Sequence, residues 1–78
     1  MQVLLYGPIA DVLGRRLDIE TPEDCSIAEL RDHLGRAHPN AARSINRSRA
    51  IIGNVAVSED HRIIPTDPVE LLPPVSGG

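Results

Sequence analysis

The chain has 78 residues, a formal net charge of -3, a single cysteine and a single aromatic residue, Tyr6. That length supports one domain around one modest core, so any enzyme chemistry would need a partner to complete the site. Mixed charges with no concentrated basic patch and no aromatic stacking platform exclude a nucleic-acid binder, and no apolar run approaches the ~20 residues of a membrane span.

Gln2 to Tyr6 is a short apolar run suited to a buried central strand, and Gly7-Pro8 breaks it. The Met1–Leu5 segment lacks the basic n-region and small-residue cleavage site of a signal peptide. Ile9 to Gly14 predicts one helical turn closed by Gly14. In Arg15 to Glu20, Leu17 and Ile19 share one face and charges the other, a half-buried strand that forms a hairpin with the first. Thr21 to Cys25 is a loop. Ser26-Ile27-Ala28-Glu29 then fits a capping box, with Ser26 at the N-cap and Glu29 three residues on. Ile27, Leu30 and Leu34 recur at helical spacing, Ala37 extends the stripe, and Asp32 and Arg36 pair on the outer side. Pro39 stops this helix by about residue 37, and Pro39 to Asn46 holds another short helical turn.

Ala50-Ile51-Ile52 and Val55-Ala56-Val57 flank Gly53-Asn54, a two-residue hairpin signal. Ser58 to His61 is a polar loop, Ile63-Ile64 pairs briefly, and Pro65 to Pro68 forms a turn. Val69-Glu70-Leu71-Leu72 is the last strand. The order is β-β-α-β-β, with four to five strands in a mixed sheet packed on one main helix. With the first and last strands side by side at the centre, this α+β arrangement is the β-grasp, spanning residues 1–72. Residues 73–78 form an extended tail.

That tail reads Pro73-Pro74-Val75-Ser76-Gly77-Gly78. Proline cannot donate to a ladder, so pairing ends at Pro73, and two consecutive prolines stiffen the start of the tail. It can project up to ~20 Å, at ~3.3 Å per residue. Gly77 and Gly78 have no Cβ, so they suit a narrow channel in which another backbone approaches closely. A carboxylate acylates poorly until it becomes a mixed anhydride. Adenylation of Gly78 by a partner would achieve this, and sulfide attack would then give a thiocarboxylate deliverable into a site on another protein. The competing reading is a plain unstructured end.

Other candidate residues are read as structural. Cys25 could accept a persulfide, but nothing nearby activates it, and it reads as a small residue beside the helix cap. His33, His38 and His61 lack metal-ligand spacing, and no metal site is expected. Arg15 and Arg16 read as a solvated strand face, and Asp67 and Glu70 as turn and surface residues. All eight basic side chains are arginine. Codon bias explains that, as does avoidance of amine nucleophiles by a chain with an activated end.

The segments Val3 to Gly7, Asp11 to Gly14, Ile27 to Arg31 and, above all, Asp67 to Gly78 resemble the MoaD/ThiS superfamily of ubiquitin-like sulfur carriers, and the Pro-Pro-Val-Ser-Gly-Gly ending resembles its molybdopterin synthase small-subunit branch. Thr66 stands where that family often has glycine, and Leu71 and Leu72 where it has aromatics. The resemblance implies that an E1-like adenylyltransferase of the MoeB type uses ATP to adenylate Gly78, which then becomes a thiocarboxylate. It implies that Pro74, Val75, Ser76, Gly77 and Gly78 insert into the molybdopterin synthase large subunit, where Gly78 sulfurates cyclic pyranopterin monophosphate for molybdenum cofactor biosynthesis. Leu71, Leu72 and Val75 would dock the partner in a heterotetramer. The chain would be non-catalytic alone, bind no cofactor itself and reside in the cytoplasm without membrane attachment. The alternatives are a ubiquitin-like protein modifier, or a sulfur carrier for tRNA thiolation, thiamine or cysteine synthesis.

Overall fold

The computed structural model describes residues 1–20, 24–64 and 66–74. The elements run β1 (Gln2–Leu5), α1 (Pro8–Leu13), β2 (Arg16–Asp18), α2 (Ile27–Ala37), a 3-10 turn (Pro39–Ala41), α3 (Ala42–Arg47), β3 (Arg49–Ile52), β4 (Val55–Ala56) and β5 (Val69–Leu72). The five strands form one sheet in the order β2-β1-β5-β3-β4. β1 and β5 are parallel, with Val3 opposite Val69 and Leu5 opposite Leu71, and the other pairings are antiparallel. This is the β-grasp, with the first and last strands adjacent at the centre.

Alternation divides the sheet into two faces. Val3, Leu5, Ala50, Val69 and Leu71 point inward and are buried in one cluster with Ile9 of α1, Ile27, Leu30 and Leu34 of α2, and Ile45 of α3. All three helices therefore lie on the same side. Leu4, Glu70, Leu72, Arg49 and Ile51 alternate with the buried positions and belong to the opposite face, on which no described helix packs.

The local signals act as their chemistry dictates. The Ser26 hydroxyl accepts the Glu29 N–H at 3.2 Å, and the Ser26 N–H donates to Glu29 Oε1 at 3.1 Å, completing the capping box. Asp32 and Arg36 pair at 3.1 Å. Gly53 and Asn54 have φ of 58° and 65°, the left-handed pair that a two-residue hairpin turn requires.

Three expectations change. Ala37 is exposed, while Arg31, one turn inside the same helix, is buried. Its Nε reaches both carboxylate oxygens of Glu59, at 2.8 and 3.1 Å. Its Nη1 donates to the Ile45 carbonyl and to Ser48 Oγ. The apolar stem packs with the helix stripe while the guanidinium satisfies polar groups at the end of α3. The turn after Pro39 grows into a 3-10 turn plus α3, because Ile45 adds an anchor to the core. Ile63 joins no sheet strand. Its N–H donates to the Cys25 carbonyl at 2.8 Å beside a single bridge between Ser26 and Arg62, and Ile64 is exposed.

Two outcomes follow. Arg31→Ala removes two buried charge-assisted hydrogen bonds, to the Ile45 carbonyl and the Ser48 hydroxyl, so urea unfolding should show a loss of about 1–3 kcal/mol. The Ser26 backbone N–H and hydroxyl hold the Glu29 carboxyl below its usual range. A depressed folded pKa stabilises at pH above the unfolded value, and the contribution disappears as pH falls through the folded one. Glu29→Gln should therefore be less stable than the parent at neutral pH. The gap should close as the pH is lowered through the carboxylate range, as read by urea unfolding at a series of pH values.

Candidate functional site at the root of the tail

β5 carries the tail, and it is hydrogen-bonded on both sides, to β1 and to β3. The Tyr6 N–H donates to the Leu71 carbonyl at 3.2 Å, close to where the ladder stops. Pro73, half-buried, offers no N–H to continue it, and Pro74 is exposed.

Two contacts fix the direction in which Pro73 leaves. Gly7 lies against its ring: a Cβ at Gly7 would stand 3.0 Å from Pro73 Cγ. Gly7 also has φ 67° and ψ -144°, a conformation that side-chain-bearing residues rarely adopt. On the other side, Arg49 Nε donates to the Pro73 carbonyl at 3.4 Å. A groove of about 220 Å³ runs beneath this root, lined by Pro8, Ile9, Ser44, Arg47, Pro73 and Pro74.

The open sheet face adjoins the root. Tyr6 Oη donates to Glu70 Oε2 at 2.7 Å, which lays the only aromatic ring over the central strand. That bond to the Glu70 carboxylate pushes the Tyr6 phenol above its usual range and keeps it a protonated donor. Leu4 and Ile51 flank Glu70 on the neighbouring strands, and Leu72 lies opposite Arg49. The result is an apolar face with a satisfied polar pair at its centre and arginines toward the edge, the composition of a surface that meets another protein.

The expected docking residues divide accordingly. Leu72 is half-buried on the open face, where a partner can reach it. Leu71 is corrected: its side chain is fully buried in the core, so it supports docking only through the strand it anchors. Val75, Ser76, Gly77 and Gly78 lie outside the described residues. Tyr6, Gly7 and Arg49 belong with the root of the tail, yet their separation in sequence from Pro73 gave no sign of it before the strand order was known.

The remaining candidates are structural. Burial, reinforced by the Glu29 charge, pushes the Cys25 thiol up, and its Sγ donates to the Ser26 carbonyl at 3.3 Å. A protonated, buried thiol is a poor nucleophile. Asp67 closes a turn, its N–H donating to the Ile64 carbonyl. Among the described residues no group of three His, Cys, Asp or Glu side chains could hold a metal ion, and no helix is long and apolar enough to cross a membrane.

The ThiS family model matches residues 3–78, so the match includes the Gly-Gly end. No curated protein sequence matches the chain. Several solved structures share its fold. SAMP1 from Haloferax volcanii is 24% identical over 99% of this chain and 97% of that one, with a TM-score of 0.79. A Pyrococcus furiosus protein named for molybdopterin converting factor subunit 1 is 19% identical over 95% of each chain, with a TM-score of 0.82. In Helicobacter pylori, a chain from a complex of subunits 1 and 2 of molybdopterin-converting factor is 22% identical over 99% of this chain and 96% of that one, with a TM-score of 0.69.

Gly7→Ala tests the root. The strained φ and the contact with Pro73 should together cost about 1–3 kcal/mol in denaturant unfolding. Backbone amide shifts in NMR spectra should change around Pro73 and Pro8 more than in α2.

Proposed function

The chain belongs to the ThiS family of ubiquitin-like sulfur carriers, and from that premise we propose that it is the sulfur-carrier subunit of a molybdopterin synthase. The observation that carries the proposal is the root of the tail. A strand bonded on both sides ends at a proline locked between Gly7 and Arg49, so the Gly-Gly end, which falls within the family match, is presented from a rigid body.

The chemistry proceeds on partners. In an E1-like adenylyltransferase of the MoeB type, the Gly78 carboxylate attacks the α-phosphorus of ATP and releases pyrophosphate. Hydrosulfide then attacks the acyl carbon, AMP leaves, and a thiocarboxylate remains. Pro74 to Gly78 enter the large subunit of the synthase, where the thiocarboxylate sulfur is transferred to cyclic pyranopterin monophosphate. The chain supplies a sulfur nucleophile held at high effective concentration. Leu72, Tyr6 and the apolar open face dock the body of the protein, and Val75 adds an apolar contact beyond the sheet. The likeness to the subunit 1–2 complex supports a large-subunit partner. The likeness to SAMP1 keeps a protein modifier as the competing outcome.

Mass spectrometry on N-terminally tagged protein from its own host decides between them. Replacement of one terminal oxygen by sulfur, with a pterin-synthase large subunit copurifying, is the expected result. Isopeptide links from Gly78 to lysines of many proteins would overturn it in favour of a modifier. Deleting Gly78 should abolish pterin sulfuration and leave the unfolding midpoint unchanged.

A further inference from the structure

The arginines are not spread evenly in space. Residues 33–58 contain four arginines and neither Asp nor Glu, in a chain with a formal net charge of -3. Arg36 is neutralised by Asp32 on the outer side of α2. The other three, Arg43, Arg47 and Arg49, are exposed, and among the described residues none forms an ion pair. Arg43 and Arg47 are one turn apart on α3, hence on one face. Arg47 lines the groove beneath Pro73 and Pro74, and Arg49 reaches the Pro73 carbonyl. Three exposed arginines with no ion pair among the described residues thus stand where the tail departs, besides Arg15 and Arg16 at β2, on a chain of net negative charge.

From this placement the structure assigns Arg47 and Arg49, with Arg43 behind them, as the contact for an acidic rim around the mouth of the cleft that takes the tail in the activating enzyme. This deepens, and rests on, the proposed carrier role. Charge complementarity selects the occupant: a partner surface bearing carboxylates gains from three arginines that have no carboxylate partner among the described residues. Gly78 follows Pro73 by five residues, a reach of up to ~17 Å at ~3.3 Å per residue, and in this assignment the arginines take the root of the tail and the chemistry is left to its end. They act on encounter and register, through long-range attraction that salt screens.

The test is ATP–pyrophosphate exchange by the purified E1-like adenylyltransferase of the host, with the full chain as the varied substrate. Arg43→Glu/Arg47→Glu, which spares the Arg49 contact with Pro73, should raise KM roughly tenfold and leave kcat unchanged. The parent's KM should climb with added salt while that of the variant, whose reversed charges are repelled by the rim, should fall, so that the two converge. Arg36→Glu, the same kind of charge reversal on the outer side of α2, should leave KM within about twofold of the parent. Circular dichroism checks that each variant is folded, and the salt titration of the parent needs no variant. Unchanged KM in the double variant, an equal rise in Arg36→Glu, or a salt-independent parental KM would each overturn the assignment while leaving the carrier role intact. Failure of the parent chain to support any exchange would overturn the carrier role itself, and the assignment with it.

Discussion

The parallel ladder between β1 and β5 joins Val3 to Val69 and Leu5 to Leu71, residues from opposite ends of the chain. Closing so long a loop costs conformational entropy, although the cost rises only logarithmically with length. Four fully buried aliphatic side chains on these two strands offset it, each contributing about 1.5–3 kcal/mol on transfer from water. Parallel strands require a crossover, and the α2–α3 segment supplies one by covering the same face of the sheet. Because β5 sits between β1 and β3, the end of the chain leaves from the middle of the sheet and not from a fraying edge.

That placement lets a chemically featureless tail be aimed. The ladder ends because proline has no N–H, and the exit direction is set by a residue from the other end of the chain, Gly7, whose missing side chain makes room for the Pro73 ring. The same break after β1 places Tyr6 over Glu70 on the open face. The body therefore has two distinct sides: one closed by three helices around the core, and one left open beside the emerging tail.

Much of this was legible in the residues. The capping box, the Gly53-Asn54 turn, the end of α2 before Pro39 and the alternation in β1 and β5 are decided by contacts within a few residues, so a local reading finds them. What escaped was decided by tertiary contact. Arg31 reads as a solvated charge until Ile45 and Ser48 are brought to it. Ile63-Ile64 reads as a strand but finds its partner in the loop before α2. Leu71 and Leu72 could not be separated into core and surface until the register against β1 was known. Residues 33–58 carry four arginines and no carboxylate in the sequence itself, yet nothing along the chain connects Arg47 and Arg49 with the tail. Only the return of β5 beside β3 sets them against the tail.

The buried arginine and the exposed ones are parts of one construction. Arg31 donates to the Ile45 carbonyl and to the Ser48 hydroxyl, which itself donates back to Ile45 at 2.7 Å. These acceptors lie on either side of Arg47, and Ser48 immediately precedes Arg49. The corner between α3 and β3 is thus tied to α2, and through Glu59 to the loop after β4. A corner held only by exposed side chains would fray with the short helix it ends. Tied from within, it holds Arg47 and Arg49 at a fixed height beside Pro73. One arginine, withdrawn from solvent and fully engaged, positions the surface charge at the point where the tail departs.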